Sequence, residues 1–218
     1  MKVNLRIPTN LNDVTLAQYQ EFAKLETKLD ETNDTAIQLK IIEIFCKVPE
    51  VVVRNMKATD IAEVCEIINN MFDTEHQMIN RFKLDGKEYG FIPQLDDMSF
   101  GEYMDLDTFI GDNDNLHRAV NVLFRPIEHK RGNRYTIKDY NPDTSEDAKE
   151  FPLGVVLGAI VFFYSLGKDL SMVMLNSLDK KNEKALAQHL ISQQSGDGLT
   201  HSMQSLTEIL QDLKISLN

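Results

Sequence analysis

The chain has 218 residues, enough to bury a substantial core as one domain or to divide into two small lobes. Apolar residues make up 42% and charged residues 26%, which is ordinary for a globular protein and excludes a largely disordered chain. The formal net charge of −11 disfavours non-specific binding to nucleic acid or to anionic membranes. We expect one compact domain with an N-terminal helical part (1–78), a hairpin and capped-helix insertion (79–140) and a C-terminal helical part (141–218).

The start of the chain predicts a strand and then a helix. Apolar and polar residues alternate over positions 2–7, which indicates a short edge strand closed by Pro8. Thr15 and Gln18 match a capping box, so a helix is expected over 16–29. The N-terminus shows no apolar run of signal-peptide length, and a cytoplasmic location is expected.

Two more helices are predicted before residue 78. The first is expected to be capped at 33–35 and ended by Pro49, and the second to be capped by Thr59-Asp60 and to reach Phe72. Their apolar residues recur at helical spacing, so each helix should bury one face, and the first should pair with the helix at 16–29. Two cysteines fall within these patterns and are interpreted as reduced core residues: Cys46 and Cys65.

A β-hairpin is predicted by the segment FKLDGKEYGFIP, which begins at Phe82. Asp85-Gly86 tolerates the positive φ angles of a two-residue turn, and such a turn fixes the register of the two strands. The expected register places Phe82 opposite Tyr89 on one face and Lys83 opposite Glu88 on the other.

Two capped helices and a second ribbon are expected after the hairpin. Ser99 and Glu102 form a capping box for a helix over 100–110, and the acidic residues at 112–114 cap a helix over 116–124 that Pro126 ends. A polar turn at 128–134 followed by an alternating segment at 135–140 predicts a ribbon, and 141–150 predicts a polar loop.

The most apolar run of the chain lies at 151–166 and predicts a buried central helix. It is shorter than the roughly 20 apolar residues that a membrane-spanning helix needs. Pro152 fits the first turn, Gly167 is the expected stop, and Gly154 and Gly158 would let another backbone approach closely. The alternative interpretation is a helix that docks into a partner subunit.

The C-terminal segment predicts a long amphipathic stretch over 170–194, a break at 195–198 and a last helix over 200–213. That helix carries an apolar stripe made of Met203, Leu206, Leu210 and Leu213. The stripe must be covered, either because the helix folds back on the body or because it docks into a neighbouring copy. It is our candidate partner-binding surface. The expected fold class is mainly α with two small antiparallel β-ribbons (α+β), a compact helical body with hairpin insertions.

Motifs for chemistry are weak. Seven acids between Asp96 and Asp114 suggest a calcium loop, but His117 and Leu123 stand where such a loop needs glycine and glutamate. The acids fit helix N-termini better. The five histidines lack zinc-ligand spacing, neither cysteine forms a CxxC pair, and the phosphate-loop and serine-elbow motifs are missing. We therefore expect no enzyme activity, no catalytic residue, no cofactor and no metal.

One basic patch interrupts the acidic sequence. It suits an acidic partner or nucleic acid, but a solvated hairpin face, or pairing with the acids of 96–114, is the favoured interpretation for Arg125, His129, Lys130, Arg131, Arg134 and Lys138.

Several segments together resemble a family of proteins of tailed bacteriophages. They are IPTNLNDVTLAQYQEF, FKLDGKEYGFIPQLDDMSFGEYMDLDTFI, NLHRAVNVLFRPI, the strand at 135–140 and SGDGLTHSMQSLTEILQDL. The family serves virion morphogenesis and is similar to tail assembly chaperones. The resemblance implies a non-enzymatic protein of the host cytoplasm, or of the virion, whose partners are tape-measure, tail-tube or neck proteins or further copies of itself. The alternatives are a permanent component of the neck, head-tail connector or baseplate, and an acidic host-interaction module.

Overall fold

The structure is a computed structural model that describes residues 5–26 and 34–177. In this part the chain is mainly helical and forms one four-stranded antiparallel sheet, so the fold is mixed α+β. The helices are α1 (Leu16–Glu26), α2 (Asp34–Cys46), α3 (Glu50–Val53), α4 (Ala58–Phe72), α5 (Phe100–Phe109), α6 (Leu116–Leu123) and α7 (Leu153–Ser177). The strands are β1 (Arg81–Leu84), β2 (Lys87–Phe91), β3 (Phe124–Arg131) and β4 (Arg134–Ile137).

The two predicted ribbons are joined into one sheet of order β1-β2-β3-β4, which corrects the expectation of two separate hairpin insertions. The junction pairs Phe91 with Phe124 and Gly90 with Arg125. The sequence predicts that Phe124 is the last residue of the preceding helix. In the structure α6 ends at Leu123, and Phe124 is already extended. Pro126, the expected helix stop, lies inside β3, where its carbonyl accepts the Lys138 N–H at 2.9 Å.

The first hairpin has the predicted turn and register. Asp85 and Gly86 have φ angles of 47° and 76°, and the partners are Phe82 with Tyr89 and Lys83 with Glu88. The rings of Phe82 and Tyr89 stack at 5.3 Å between centroids.

The capping box at the start of α1 is confirmed, whereas the expected edge strand is wrong over its described residues. The Thr15 N–H donates to Gln18 Oε1 at 3.0 Å, and the Gln18 N–H donates to Thr15 Oγ1 at 3.3 Å. Residues 5–9 form no strand, because none of the described strands pairs with them. Val3, and the predicted end of the first helix at 27–29, lie outside the described residues.

Two of the predicted caps are displaced. The N-cap of α4 is Lys57, which makes no side-chain hydrogen bond, and Thr59 and Asp60 lie inside the helix. The N-cap of α6 is Asn115, also without a side-chain bond to the helix. In both cases the helix is held by burial of its apolar face, so its start does not depend on a polar cap.

Helix α2 contacts α1 as expected, and both cysteines are buried and unoxidised. The helix ends at Cys46, and Lys47 takes a φ of 53°, a left-handed conformation typical of helix C-termini. Burial raises the pKa of the Cys46 thiol to about 11, and that of the Cys65 thiol is raised by the same cause.

Helix α7 is the centre of the core. The backbone around it is tied to the N-terminal part: the Leu16 N–H donates to the Phe151 carbonyl at 2.9 Å, and the Leu153 N–H donates to the Val14 carbonyl at 2.8 Å. The residues that precede it, expected as a polar loop, form a 3-10 run at Pro142–Glu150 that packs against α6. The largest fully buried side chains of this region are Phe151, Leu153, Leu157 and Ile160.

Gly167 does not end α7, which continues to Ser177. A glycine inside a helix costs only about 1 kcal/mol, which packing of the apolar face readily offsets. The close approach expected at Gly158 is confirmed, since a Cβ there would overlap the backbone carbonyl of Gln77. Gly154 faces a side chain instead, because a Cβ at this position would lie 2.6 Å from Asn12 Oδ1.

The predicted C-terminal stripe of Met203, Leu206, Leu210 and Leu213 lies outside the described residues, as does the amphipathic stretch beyond Ser177. Its role as a partner-binding surface therefore stays a prediction.

Candidate functional site: an apolar cleft beside the sheet

A cleft of about 1510 Å³ opens between the sheet, α5 and the second half of α7. The end of β2 and the loop after it form one side, and the β3–β4 turn forms one end. Drug-sized ligand pockets measure about 300–1,000 Å³, so this cleft is large for a small molecule and suits the side chains of a polypeptide.

The base of the cleft is part of the hydrophobic core, and its walls are half-buried apolar side chains. Leu106 and Ile110 of α5 are buried at the base. The walls come from two segments that are far apart in sequence, the loop after β2 and α7. They are Leu95 and Met98 on one side and Phe162, Phe163 and Leu166 on the other.

The α7 wall is stiffened by aromatic contacts. The ring centroid of Phe91 in β2 lies 5.7 Å from that of Phe162 and 6.0 Å from that of Phe163. The rings of Phe162 and Phe163 meet edge-on, with their centroids 5.5 Å apart. Edge-to-face aromatic pairs contribute roughly 0.5–1.5 kcal/mol beyond their buried area. The wall is therefore a preformed surface that loses little conformational entropy on binding.

Helix α5 carries exposed apolar side chains, and one of them, Tyr103, lines the cleft. Phe100 is 78% exposed and Met104 is 48% exposed, four residues apart on the same helix. The capping box explains the position of Phe100, since Ser99 accepts the Glu102 N–H at 3.3 Å and thereby fixes Phe100 as the first residue of the helix. Contiguous exposed apolar surface beside a groove is typical of interaction sites.

The polar end of the cleft depends on Gly90. A Cβ at this position would overlap the ring of Tyr135, which crosses β2 there. The Tyr135 hydroxyl donates to the Phe91 carbonyl at 2.7 Å, and the Arg81 guanidinium lies 5.8 Å from the ring centroid. Sequence analysis missed this arrangement, although a glycine within a strand indicates a close approach by a neighbour.

A buried ion pair fixes α5 to the sheet. Arg125 Nη1 of β3 lies 2.7 Å from Glu102 Oε1, and the side chains are 10% and 9% exposed. Burial alone would raise the pKa of the Glu102 carboxyl, but hydrogen bonds from Ser99 and the charge of Arg125 outweigh it, so the pKa is lowered. A second pocket of about 580 Å³ lies beside this pair. The ion pair thus holds the helix that supplies the base of the cleft.

The rest of the basic patch agrees with the favoured interpretation of a paired or solvated face. Arg125 pairs with an acid of the 96–114 run, and Lys130 pairs with Glu88 at 2.6 Å. The remaining members are exposed: His129, Arg131, Arg134 and Lys138.

The acidic run supports local structure in the loop before α6. Asp112 accepts the Asp114 N–H at 2.9 Å and the Asn115 side-chain amide at 2.7 Å. Within the described residues, no group of three or more histidine, cysteine or acidic side chains is placed to hold a metal ion. In the same part of the chain, none of the helices has both the length and the hydrophobicity to cross a membrane.

Comparison with protein-family models, with curated proteins and with solved structures finds no match to this chain.

Two histidines outside the cleft have a lowered pKa. Burial lowers the pKa of His76, whose ring nitrogens have no hydrogen-bond partner among the described residues. Burial also lowers the pKa of His117, and Lys149 adds to the effect while Glu146, 3.4 Å from Nε2, opposes it. Gln20 Nε2 lies 3.3 Å from His117 Nδ1, which fits a neutral ring that accepts at Nδ1.

We expect the free energy of unfolding to fall as the pH drops below about 6.5. In that range the two histidines bind protons in the unfolded chain but not in the folded chain. The loss should level off below the lowered pKa values of the folded state. Urea unfolding between about pH 7.5 and about pH 5 measures it. Replacing His76 with phenylalanine should flatten the profile, because it removes the buried ring whose pKa is lowered. An equally steep profile in the His76→Phe variant would contradict the assignment of His76.

Proposed function

We propose that this chain is a non-enzymatic assembly protein of a tailed bacteriophage, a tail assembly chaperone that holds an apolar helix of a tape-measure or tail-tube protein. The sequence resemblance supports the biological setting. The observation that carries the proposal is the preformed apolar cleft with the half-buried Met98 and the exposed Tyr103 at its rim.

The shape and chemistry of the cleft suit helix-in-groove recognition. An amphipathic helix presents apolar side chains at i, i+3 or i+4 and i+7, and these need a long apolar trough with a firm base. Leu106 and Ile110 supply the base, and the half-buried walls supply lateral contacts. The exposed apolar rim would be covered when such a helix binds, which removes its unfavourable contact with water.

The net charge of −11 favours the same activity. A chaperone for an apolar helix must stay dispersed while it carries exposed apolar surface, and a high net charge opposes self-association. An acidic surface around an apolar site also favours partners whose flanking residues are basic.

Removing the apolar rim should weaken partner binding without unfolding the chain. We expect the double replacement Met98→Ser and Tyr103→Ser to lower the affinity for the tape-measure protein of the same genome at least about tenfold, equal to about 1.4 kcal/mol. The measurement is titration calorimetry with helical tape-measure segments, together with the soluble yield of tape-measure protein on co-expression.

The matched control is Val51→Ser. Val51 is 72% exposed and is not part of the cleft lining, so its loss removes a similar apolar group elsewhere. Equal binding by the rim variant and the control would count against the cleft as the binding site. Mass spectrometry of purified virions tests the alternative, since stoichiometric retention of the chain would favour a permanent structural component over a chaperone.

A further inference from the structure

We propose that the polar end of the cleft binds a side-chain carboxylate of the helix that occupies it, with the Arg81 guanidinium as the hydrogen-bond donor. The inference deepens the proposed function and rests on it for the class of partner, an apolar helix. It adds one chemical requirement for that helix, an aspartate or glutamate beside its apolar stripe at one defined position.

Arg81 has the position and the unmet hydrogen bond that such a contact needs. It is the first residue of β1, lies opposite Gly90 in the register, and its half-buried side chain lines the cleft. Its Nη1 is buried and has no hydrogen-bond partner among the described residues. A charged donor shielded from water without an acceptor is unfavourable, so a ligand that brings an acceptor is favoured there.

The neighbours of Arg81 hold the guanidinium in place without supplying that acceptor. The guanidinium lies 5.8 Å from the centroid of the Tyr135 ring, and a cation–π contact with a ring face satisfies no N–H group. The Tyr135 hydroxyl is turned to the Phe91 carbonyl, 2.7 Å away. Glu88 carries the opposite charge on the neighbouring strand, but its carboxylate accepts from Lys130 at 2.6 Å. These contacts position the guanidinium and leave its unpaired N–H group for a ligand.

The chemistry of this end of the cleft selects a carboxylate. A guanidinium presents its N–H groups as a planar fork that matches the two oxygens of a carboxylate. Asn133 and Arg134, exposed residues of the β3–β4 turn, line the same end and add an amide donor and a second positive charge. The acids of the lining belong to other elements, Asp96 to the loop after β2 and Asp107 to α5.

Net charge favours a carboxylate carried by a helix over the phosphates of a nucleic acid. The chain has a net charge of −11, which repels a polyanion. A single carboxylate on an apolar helix meets less of this repulsion, and burial of the apolar stripe against Leu106 and Ile110 supplies the attraction. Basic residues elsewhere on the helix remain compatible with the acidic surface outside the cleft.

The contact would fix the register of the bound helix. An apolar stripe repeats every three to four residues, so a helix can shift by one turn, about 5.4 Å, and still bury similar side chains. A charge-assisted hydrogen bond at one end favours a single register. A helix with lysine or arginine at that position would be repelled, so the cleft would reject some apolar helices.

A scan with designed helices tests the contact. The probes are synthetic helices of about 18 residues with one leucine stripe, in which a single glutamate or its glutamine counterpart is placed in turn beside the stripe. We expect fluorescence anisotropy to show at least about fivefold tighter binding of glutamate than of glutamine at one position of the scan. Arg81→Met should abolish this preference and leave the affinity for the glutamine helices within about twofold.

The matched control is Arg131→Met. Arg131 is an exposed arginine of β3 that lies opposite Arg134 and is not part of the cleft lining. This variant removes the same charge and should keep the glutamate preference. Loss of the preference in both variants would assign it to long-range charge and would overturn the inference, as would equal binding of glutamate and glutamine helices or no binding of any helix.

The probes keep the two proposals separable, because they are not tape-measure segments. A glutamate preference without binding of tape-measure segments would reject the proposed function alone. Tape-measure binding without a glutamate preference would reject the inference alone.

Thermal unfolding separates a binding role of Arg81 from a structural one. Because its Nη1 has no partner among the described residues, Arg81→Met should shift Tm by less than about 2 °C. A loss as large as that of Arg125→Met, which removes the partner of the buried Glu102, would make Arg81 a structural residue and overturn the inference.

A labelled single-stranded RNA of about 20 nucleotides tests the other source of anionic oxygens. We expect no binding to the wild-type chain at physiological salt. RNA binding that is lost in Arg81→Met would assign the polar end of the cleft to nucleic acid and would overturn the inference.

Discussion

Replacing Gly158 with alanine is expected to destabilise the folded chain by about 3 kcal/mol. The added Cβ would overlap the carbonyl oxygen of Gln77 and come within 3.4 Å of the Met78 Cα. Both neighbours are backbone, so neither can swing aside as a side chain would. Either α7 or the segment before β1 must shift, and α7 is tightly packed at this level, with Leu157 and Ile160 almost fully buried.

The measurement is thermal unfolding, in which a loss of this size lowers Tm by roughly 6–12 °C for a chain of this length. Gly101→Ala is the matched control, because it is also a glycine inside a helix and a Cβ there meets nothing within 4 Å. It should leave the stability unchanged or raise it by less than about 1 kcal/mol, the value for a helix interior, because Gly101 lies in the first turn of α5. Similar effects at the two positions would reject the close approach of α7 to the Gln77 backbone.

Replacing Arg125 with methionine is expected to cost about 3–5 kcal/mol, because it leaves the Glu102 carboxylate buried without its counter-charge. The capping interactions of Glu102 remain, with the Ser99 N–H donating to Oε2 at 2.7 Å, but they do not replace a full positive charge. The pKa of Glu102 should rise, so the variant should regain part of its stability at acidic pH. Urea unfolding at two pH values measures both effects.

The double variant Arg125→Met with Glu102→Gln should recover most of the loss. Glutamine keeps the capping box and removes the stranded charge. The exposed pair gives the contrast, since Lys130→Met breaks the contact with Glu88 at a cost below about 1 kcal/mol. If Arg125→Met and Lys130→Met cost the same, the Glu102 pair contributes no more than a surface pair.

This ion pair matters for the proposed function because it sets the position of α5. Glu102 is in the first turn of that helix, next to Phe100, and Arg125 is in a central strand of the sheet. Loosening the contact would shift the helix that carries Leu106 and Ile110 at the base of the cleft. We expect the proposed binding activity to be more sensitive to Arg125 than to the exposed members of the basic patch.

The features predicted well from the sequence are short-range ones. The turn at Asp85-Gly86 and the capping boxes at Thr15 and Ser99 depend on residues within four positions of each other. Their energetics are local backbone preferences and single hydrogen bonds, which a pattern of neighbouring residues encodes directly. The errors at Lys57 and Asn115 arise where the helix begins without a side-chain cap, and packing of its apolar face further along stabilises it.

The sequence by itself therefore determined the mainly helical composition, the first hairpin with its register and the buried character of the segment around Leu157. Only the tertiary structure decided that β2 pairs with β3, that Tyr135 covers Gly90 and that Arg125 reaches Glu102. These contacts join residues 23 to 45 positions apart, so they follow from how the helices and strands pack together and leave no periodic trace along the chain. The cleft belongs to this second group, because its two walls come from α7 and from the loop after β2, which are far apart in the sequence.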